Sequence, residues 1–125
     1  MSGYSDVKAV TITADTVALD ADGISVAASV GNNAALTIGG ALASGGAVAL
    51  SHGRIVTILS AGNDSTKSFT VVGTDVNGDA QTESITGANA DTATGTKYFL
   101  TIASITAVGN PAGNVSAGVN ASAAD

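Results

Sequence analysis

The side chains that most often act as nucleophiles, general bases or metal ligands are scarce in this chain. Its 125 residues contain no cysteine and one histidine, His52, which follows Ser51. A serine nucleophile needs a histidine that a third residue orients, and a zinc site needs several His or Cys ligands. Because neither set surrounds His52 in the sequence, we interpret it as a turn residue before a strand and predict no catalytic residue and no metal ligand.

Acidic side chains could instead serve glycoside hydrolysis, which uses a pair of carboxylates on the two sides of the scissile bond. Glu83 is the only glutamate, and it lies in the middle of an alternating Thr-Glu-Ser segment. Most aspartates fall in segments rich in Gly, Asn and Ser, where Asp side chains accept hydrogen bonds from the backbone of a turn. The sequence therefore predicts no hydrolase, and we expect no enzymatic activity.

Two aspartate-rich segments share features with calcium loops, DADG at residues 20–23 and DVNGD at residues 75–79. A complete loop has ligands at alternating positions and a bidentate Glu at about position twelve, but position twelve counted from Asp75 is Thr86. Asn77-Gly78 favours the positive φ angles of a hairpin turn. We interpret both segments as turns, keep calcium binding by an irregular loop as the alternative, and expect no cofactor.

Runs of apolar residues separated by turn-forming residues occupy most of the chain. VKAVTIT at 7–13 alternates, and ISVAASV at 24–30 places Ile24, Val26, Ala28 and Val30 on one face. Residues 54–60 leave no polar face, which predicts a central strand covered on both sides. A slip in phase between Ile102 and Ile105 predicts a bulge near residues 103–104. Further strands are predicted at 34–38, 47–50, 68–74 and 80–86, along a run that starts at Lys97, and at 115–119.

These elements predict an all-β fold without a helix. About eight antiparallel strands would form a β-sandwich, immunoglobulin-like or jelly-roll-like, or a small barrel. We expect residues 1–13 to be an N-terminal arm or first strand, 14–119 the sandwich domain and 120–125 a flexible tail. Aromatic residues make up 3% of the chain, so Val, Ile, Leu and Ala must fill the core. Residues 1–52 would fold with the domain or be completed by a neighbouring subunit, and the sequence leaves both open.

The composition excludes several classes of partner. Charged residues make up 11% of the chain, the net charge is −6, and the basic residues are Lys8, Arg54, Lys67 and Lys97. Nucleic acids and anionic membrane surfaces bind proteins through clusters of cations, so we expect neither as a partner. No apolar run approaches the roughly 18 residues of a spanning helix, and the N-terminus lacks the basic and apolar blocks of a signal peptide.

The segment from Arg54 to Val119 resembles small structural proteins of tailed-bacteriophage virions. The resemblance rests on SAGNDS at 60–65, TVVGTD at 70–75, TESITG at 82–87, KYF at 97–99 and AGNV at 112–115. It covers a little over half of the chain and includes no chemical motif. It implies a β-sandwich that decorates or cements a phage particle.

We therefore expect a non-enzymatic protein on the outside of a phage capsid, with the major capsid protein as its partner and assembly in the host cytoplasm. A low surface charge limits the cost of desolvating a broad interface, and repeated contacts in a lattice add avidity. We expect a homo-oligomer, a trimer or a dimer, and an assembly interface around Tyr4, Val7, Val10 and Ile12. The alternatives are a phage tail tube, adaptor or fibre-base component, and a carbohydrate-binding or adhesive surface module.

Overall fold

A computed structural model describes residues 20–124, with side chains described from Asp20 to Asn120, and it confirms the antiparallel all-β prediction. Seven strands are present in this part of the chain, and the strand predicted at 7–13 lies outside the described residues. They are β1 (Asp20–Ser29), β2 (Ala43–Ser44), β3 (Ala47–Ser60), β4 (Ser68–Thr74), β5 (Ala80–Thr86), β6 (Thr92–Val108) and β7 (Asn114–Ala124).

The strands form one antiparallel sheet in the order β1-β7-β3-β6-β4-β5, and β2 pairs with β3 at its start. The sheet does not close, so β1 and β5 are its edges. A single apolar cluster nevertheless collects buried side chains from both edge strands and from the four strands between them. An open sheet can bury one such cluster only by curling around it, and this arrangement is consistent with a sandwich or a small barrel.

The core is built mainly from branched aliphatic residues, as the composition predicts. Phe69 on β4 and Phe99 on β6 are the two aromatic members, and both are fully buried. Val56 and Ile58 on β3 are also fully buried, and β3 lies between β6 and β7, which confirms the predicted central position of residues 54–60. The expected cover on both sides is incomplete, because Leu59 on the opposite face has 38% of its surface exposed.

β3 is longer than its sequence pattern indicates. The expected break at residues 51–53 is absent, and His52 lies within the strand rather than in a turn. The pairing with β6 shifts register between Ala49 and Arg54, so an irregularity accommodates these residues without ending the strand. The expected strand at 34–38 is also absent, and only a single bridge from Ala35 to Thr106 remains there.

β7 also extends beyond its expected end. It runs to Ala124 and pairs along β3 as far as Gly53, so residues 120–124 are strand rather than the expected flexible tail. The length of β3 explains the difference, because its first half offers a hydrogen-bonding edge to the end of the chain. Buried Arg54 adds to this contact by donating from Nη1 to the carbonyl oxygen of Asn120 at 3.2 Å.

β6 connects the two halves of the sheet. It pairs with β3 along residues 92–102 and with β4 along residues 101–108. Val72 opposes Ser104 while Gly73 opposes Ile102, so Ala103 is an extra residue on β6, and the predicted bulge is confirmed. A Cβ atom at Gly73 would overlap the carbonyl oxygen of Thr101, so the close approach of the two strands at the bulge requires glycine.

We expect Gly73→Ala to lower the free energy of unfolding by about 2–4 kcal/mol, because overpacking costs roughly 1–3 kcal/mol even where only side chains must move. Here the obstacle is backbone, so the bulge itself must shift. Urea unfolding followed by circular dichroism measures the effect. Gly39→Ala is the matched control, since its Cβ would meet only the Thr37 methyl group at 3.8 Å. Equal stability of the two variants would contradict this account of the bulge.

Candidate functional surfaces

The residues considered for catalysis do not form a reactive group. His52 is half-buried within β3, and its neighbour Ser51 is exposed. In the part of the chain that the structure describes, no three side chains of His, Cys, Asp or Glu lie close enough to hold a metal ion together. None of the elements between residues 20 and 124 is a helix of the length and hydropathy that a membrane span needs.

Glu83 connects β5 to the first half of β6. Its side chain is buried, with 7% of its surface exposed. Oε2 accepts hydrogen bonds from the backbone N–H of Thr96 at 2.6 Å and from its hydroxyl at 3.1 Å, and Oε1 accepts one from the N–H of Lys97 at 3.3 Å. β6 pairs with β4 only from Thr101 onwards, so the carboxylate takes the place of a partner strand for these amides.

Two further side-chain bonds join the same strands. Gln81 donates from Nε2 to the carbonyl oxygen of Tyr98 at 2.8 Å, and Lys97 donates from Nζ to that of Thr82 at 3.0 Å. A Cβ atom at Gly95 would lie 2.7 Å from Oε1 of Glu83, so glycine makes room for the carboxylate. The sequence contained a signal for this contact. Glu83 lies two positions before the apolar Ile85, so an alternating strand points both side chains inward, and a buried carboxylate requires hydrogen-bond donors.

Asp75 stabilises the hairpin turn between β4 and β5. Its Oδ1 atom accepts the backbone N–H groups of Asn77 at 2.8 Å and of Asp79 at 3.0 Å, and Gly78 has a φ of +86°. The predicted hairpin is confirmed. Residues 20–23, in contrast, are part of β1, so the predicted turn there is wrong.

Asp64 ties three loops together at one end of the sheet. Its Oδ1 atom accepts the N–H of Ala112 at 2.7 Å, its own N–H donates to the carbonyl of Ala88 at 2.9 Å, and its carbonyl accepts the N–H of Lys67 at 2.9 Å. The residue is fully buried, and its Oδ2 atom has no hydrogen-bond partner among the described residues. The sequence predicted local capping for such aspartates, whereas this carboxylate reaches across 48 residues.

The outer face of β4, β5 and the second half of β6 is uncharged. The strand pairing places its side chains in four rows of three, and the register is continuous except at the bulge. From one end to the other, the rows are Thr86–Ser68–Val108, Ser84–Thr70–Thr106, Thr82–Val72–Ser104 and Ala80–Thr74–Thr101. We call these positions the Ser/Thr face. Val72 and Val108 are its exposed large apolar residues.

The second candidate surface is the far half of β1. Ile24 and Val30 are buried as expected, but Val26 and Ala28, predicted on the same face, are exposed, because the pairing with β7 shifts register twice. Val26 has 56% of its surface exposed and, with neighbouring small residues, lines a recess of about 320 Å³. The recess walls are Val26, Ala27, Ala28, Thr37 and Gly39.

The residues predicted to form the assembly interface, Tyr4, Val7, Val10 and Ile12, lie outside the described residues. Comparisons of the chain with protein-family models, curated proteins and solved structures found no significant match. The Ser/Thr face and the far half of β1 are the candidate functional surfaces of the described residues.

We expect Glu83→Ala to lower the free energy of unfolding by about 2–4 kcal/mol, because hydrogen bonds to a charged group contribute about 1.5–3 kcal/mol and the amides of β6 lose their acceptor. Glu83→Gln should lower the free energy of unfolding by less, since one carbonyl oxygen remains as a hydrogen-bond acceptor. Ser84→Ala, at the adjacent exposed position, is the control. Chemical denaturation gives the free energies, and amide hydrogen exchange should accelerate at Thr96 and Lys97. Unchanged exchange at both amides would contradict the assigned role.

Proposed function

We propose that this chain is a non-enzymatic structural protein of a phage virion, which decorates and cements the outside of the capsid. Its partner is the major capsid protein, its location is the capsid exterior, and it acts as a homo-oligomer, a trimer or a dimer. The observation that carries the proposal is the Ser/Thr face, a broad uncharged surface on three adjacent strands.

The cost of desolvation favours an uncharged face at a broad interface. Burying an unpaired charge at an interface is expensive, whereas hydroxyl groups can exchange water for partner hydrogen bonds at little net cost. The twelve positions of the four rows of three carry no Asp, Glu, Lys or Arg. Such a face suits a partner of matching shape that is presented many times, where modest contacts add up through avidity.

The acidity of the chain agrees with an exterior position. A net charge of −6 disfavours contact with packaged DNA, which binds proteins through clustered cations. The N-terminal arm would contribute the remaining contacts through Tyr4, Val7, Val10 and Ile12. The resemblance of residues 54–119 to virion structural proteins supports the same assignment.

The runner-up is a tail tube, adaptor or fibre-base component, which would use the same face within a ring. A carbohydrate-binding or adhesive module ranks lower, because sugar platforms usually contain several exposed aromatic residues. Tyr98, with 37% of its surface exposed, is the exposed aromatic side chain between residues 20 and 120.

The copy number of the chain in purified virions tests the location. Quantitative mass spectrometry against the major capsid protein should give a ratio near one to one or another lattice-scale fraction. A few copies per particle would favour the tail component instead. Absence of the chain from particles would contradict the virion proposal and favour the adhesive module.

Rebinding to particles stripped of this protein tests the surfaces. We expect the double variant Ser84→Lys, Thr70→Lys to bind at least about tenfold more weakly, because two desolvated charges would enter the interface. Deletion of residues 1–13 should abolish binding while the β-domain stays folded. Thr92→Lys, an exposed position at the start of β6, is the control and should bind normally. Unimpaired binding by the face variant would exclude the Ser/Thr face, and unimpaired binding by the truncated chain would exclude the arm.

A further inference from the structure

The outer edge of β1 is covered along one half and open along the other. Near its start, the carbonyl oxygen of Gly23 accepts the N–H of Leu42 at 2.8 Å, and that of Ile24 accepts the N–H groups of Gly39 and Gly40 at 3.0 and 2.9 Å. From Val26 to Ser29 no described residue pairs with the strand on this side. Within the described part of the chain, the backbone groups along that half are therefore available to a further strand.

The side chains along the open half do not protect it. Residues 26–29 are all exposed, and the run from Ile24 to Val30 contains neither a charge nor a proline. Natural edge strands usually carry Lys, Pro or an inward-pointing charge that prevents pairing with another chain. The recess beside Val26 adds apolar walls of small residues, which leave room for branched side chains. An unprotected edge with such a recess is a site for strand addition.

The N-terminal segment has the properties that this site requires. Residues 7–13 alternate, with Val10 and Ile12 on one face beside Lys8, and both are branched residues that fit walls of Ala and Gly. Residues 14–19 join this segment to β1, and an extended stretch of six residues spans about 20 Å. That length is enough to carry the segment from one molecule to the edge of another.

We propose that residues 7–13 of one copy of this chain add as a strand to the Val26–Ser29 edge of a second copy. The covered half of β1 argues for a second copy rather than the same chain. A hairpin returning directly from Asp20 would place residues near Val10 opposite Gly23 and Ile24, where the loop at 39–42 already lies. This link uses Val10 and Ile12, which the proposed function also places at the assembly interface, but it is tested between free copies, so its outcome does not depend on binding to a particle.

The absence of native cysteine allows a direct test on the full-length chain. Chains carrying Val10→Cys or Ile12→Cys are mixed with mass-labelled chains carrying Val26→Cys or Ala28→Cys and oxidised mildly. A disulfide needs Cα atoms about 4.4–6.8 Å apart, so only paired segments should link. We expect a linked heterodimer from at least one of the four combinations, and none when Val76→Cys in the β4–β5 turn replaces the β1 variant.

Self-association gives an independent measurement. By sedimentation velocity over a concentration series, Val26→Lys should weaken association at least about tenfold, because a charge enters the edge. Val76→Lys, at a comparably exposed valine, should associate normally. Circular dichroism verifies that both variants fold, as expected for substitutions of exposed side chains.

Three results would overturn the proposal. One is a disulfide within a single monomeric chain that carries both Val10→Cys and Val26→Cys, which would place the segment on its own edge. Another is a full-length chain that stays monomeric at all concentrations and forms no link. The third is normal self-association of Val26→Lys together with loss of particle binding, which would assign the edge to a capsid strand.

Discussion

The fold depends on the double pairing of β6, which is shared between β3 and β4. It pairs with β3 along residues 92–102 and with β4 along residues 101–108, and the bulge at Ala103 lies where the first pairing gives way to the second. The bulge in turn requires the backbone of β4 to approach β6 closely, and Gly73 permits this because it has no Cβ atom. The junction between the two halves of the sheet therefore contains a single extra residue, and Gly73 allows the two strands to approach each other there.

The same geometry leaves backbone N–H groups of β6 without a partner strand, and side chains of β5 supply the acceptors. Where β4 leaves β6, the amides of Thr96 and Lys97 lose the partner that a regular sheet would provide. Without another acceptor these two N–H groups would have no partner within the chain, and a hydrogen bond to a charged group contributes about 1.5–3 kcal/mol. The carboxylate of Glu83 supplies the acceptors from β5, and Gly95 makes room for it. The only glutamate of the chain thus has a structural role, as the acceptor for backbone N–H groups of β6.

Much of this architecture could be predicted from the sequence, because alternation and turn chemistry are local properties. The β4–β5 hairpin, the central position of residues 54–60 and the bulge near residue 103 all follow from periodicity and from Asn77-Gly78. The continuity of β3 through His52 and the extension of β7 to Ala124 depend on partners distant in sequence, which no local pattern reports. For the same reason the sequence placed Val26 in the core, since only the irregular register with β7 turns it outward.

The two edges of the sheet differ in a way that bears on assembly. At the β5 edge, Gln81, Glu83 and Lys97 use their polar groups to hold β5 against β6, so that edge carries charge and internal bonds. Along the open half of β1 there is no charged side chain, and the walls are small and apolar. The proposed addition of residues 7–13 of one copy to the open edge of another is a contact between unlike surfaces. Contacts of that kind close into rings or extend into open assemblies.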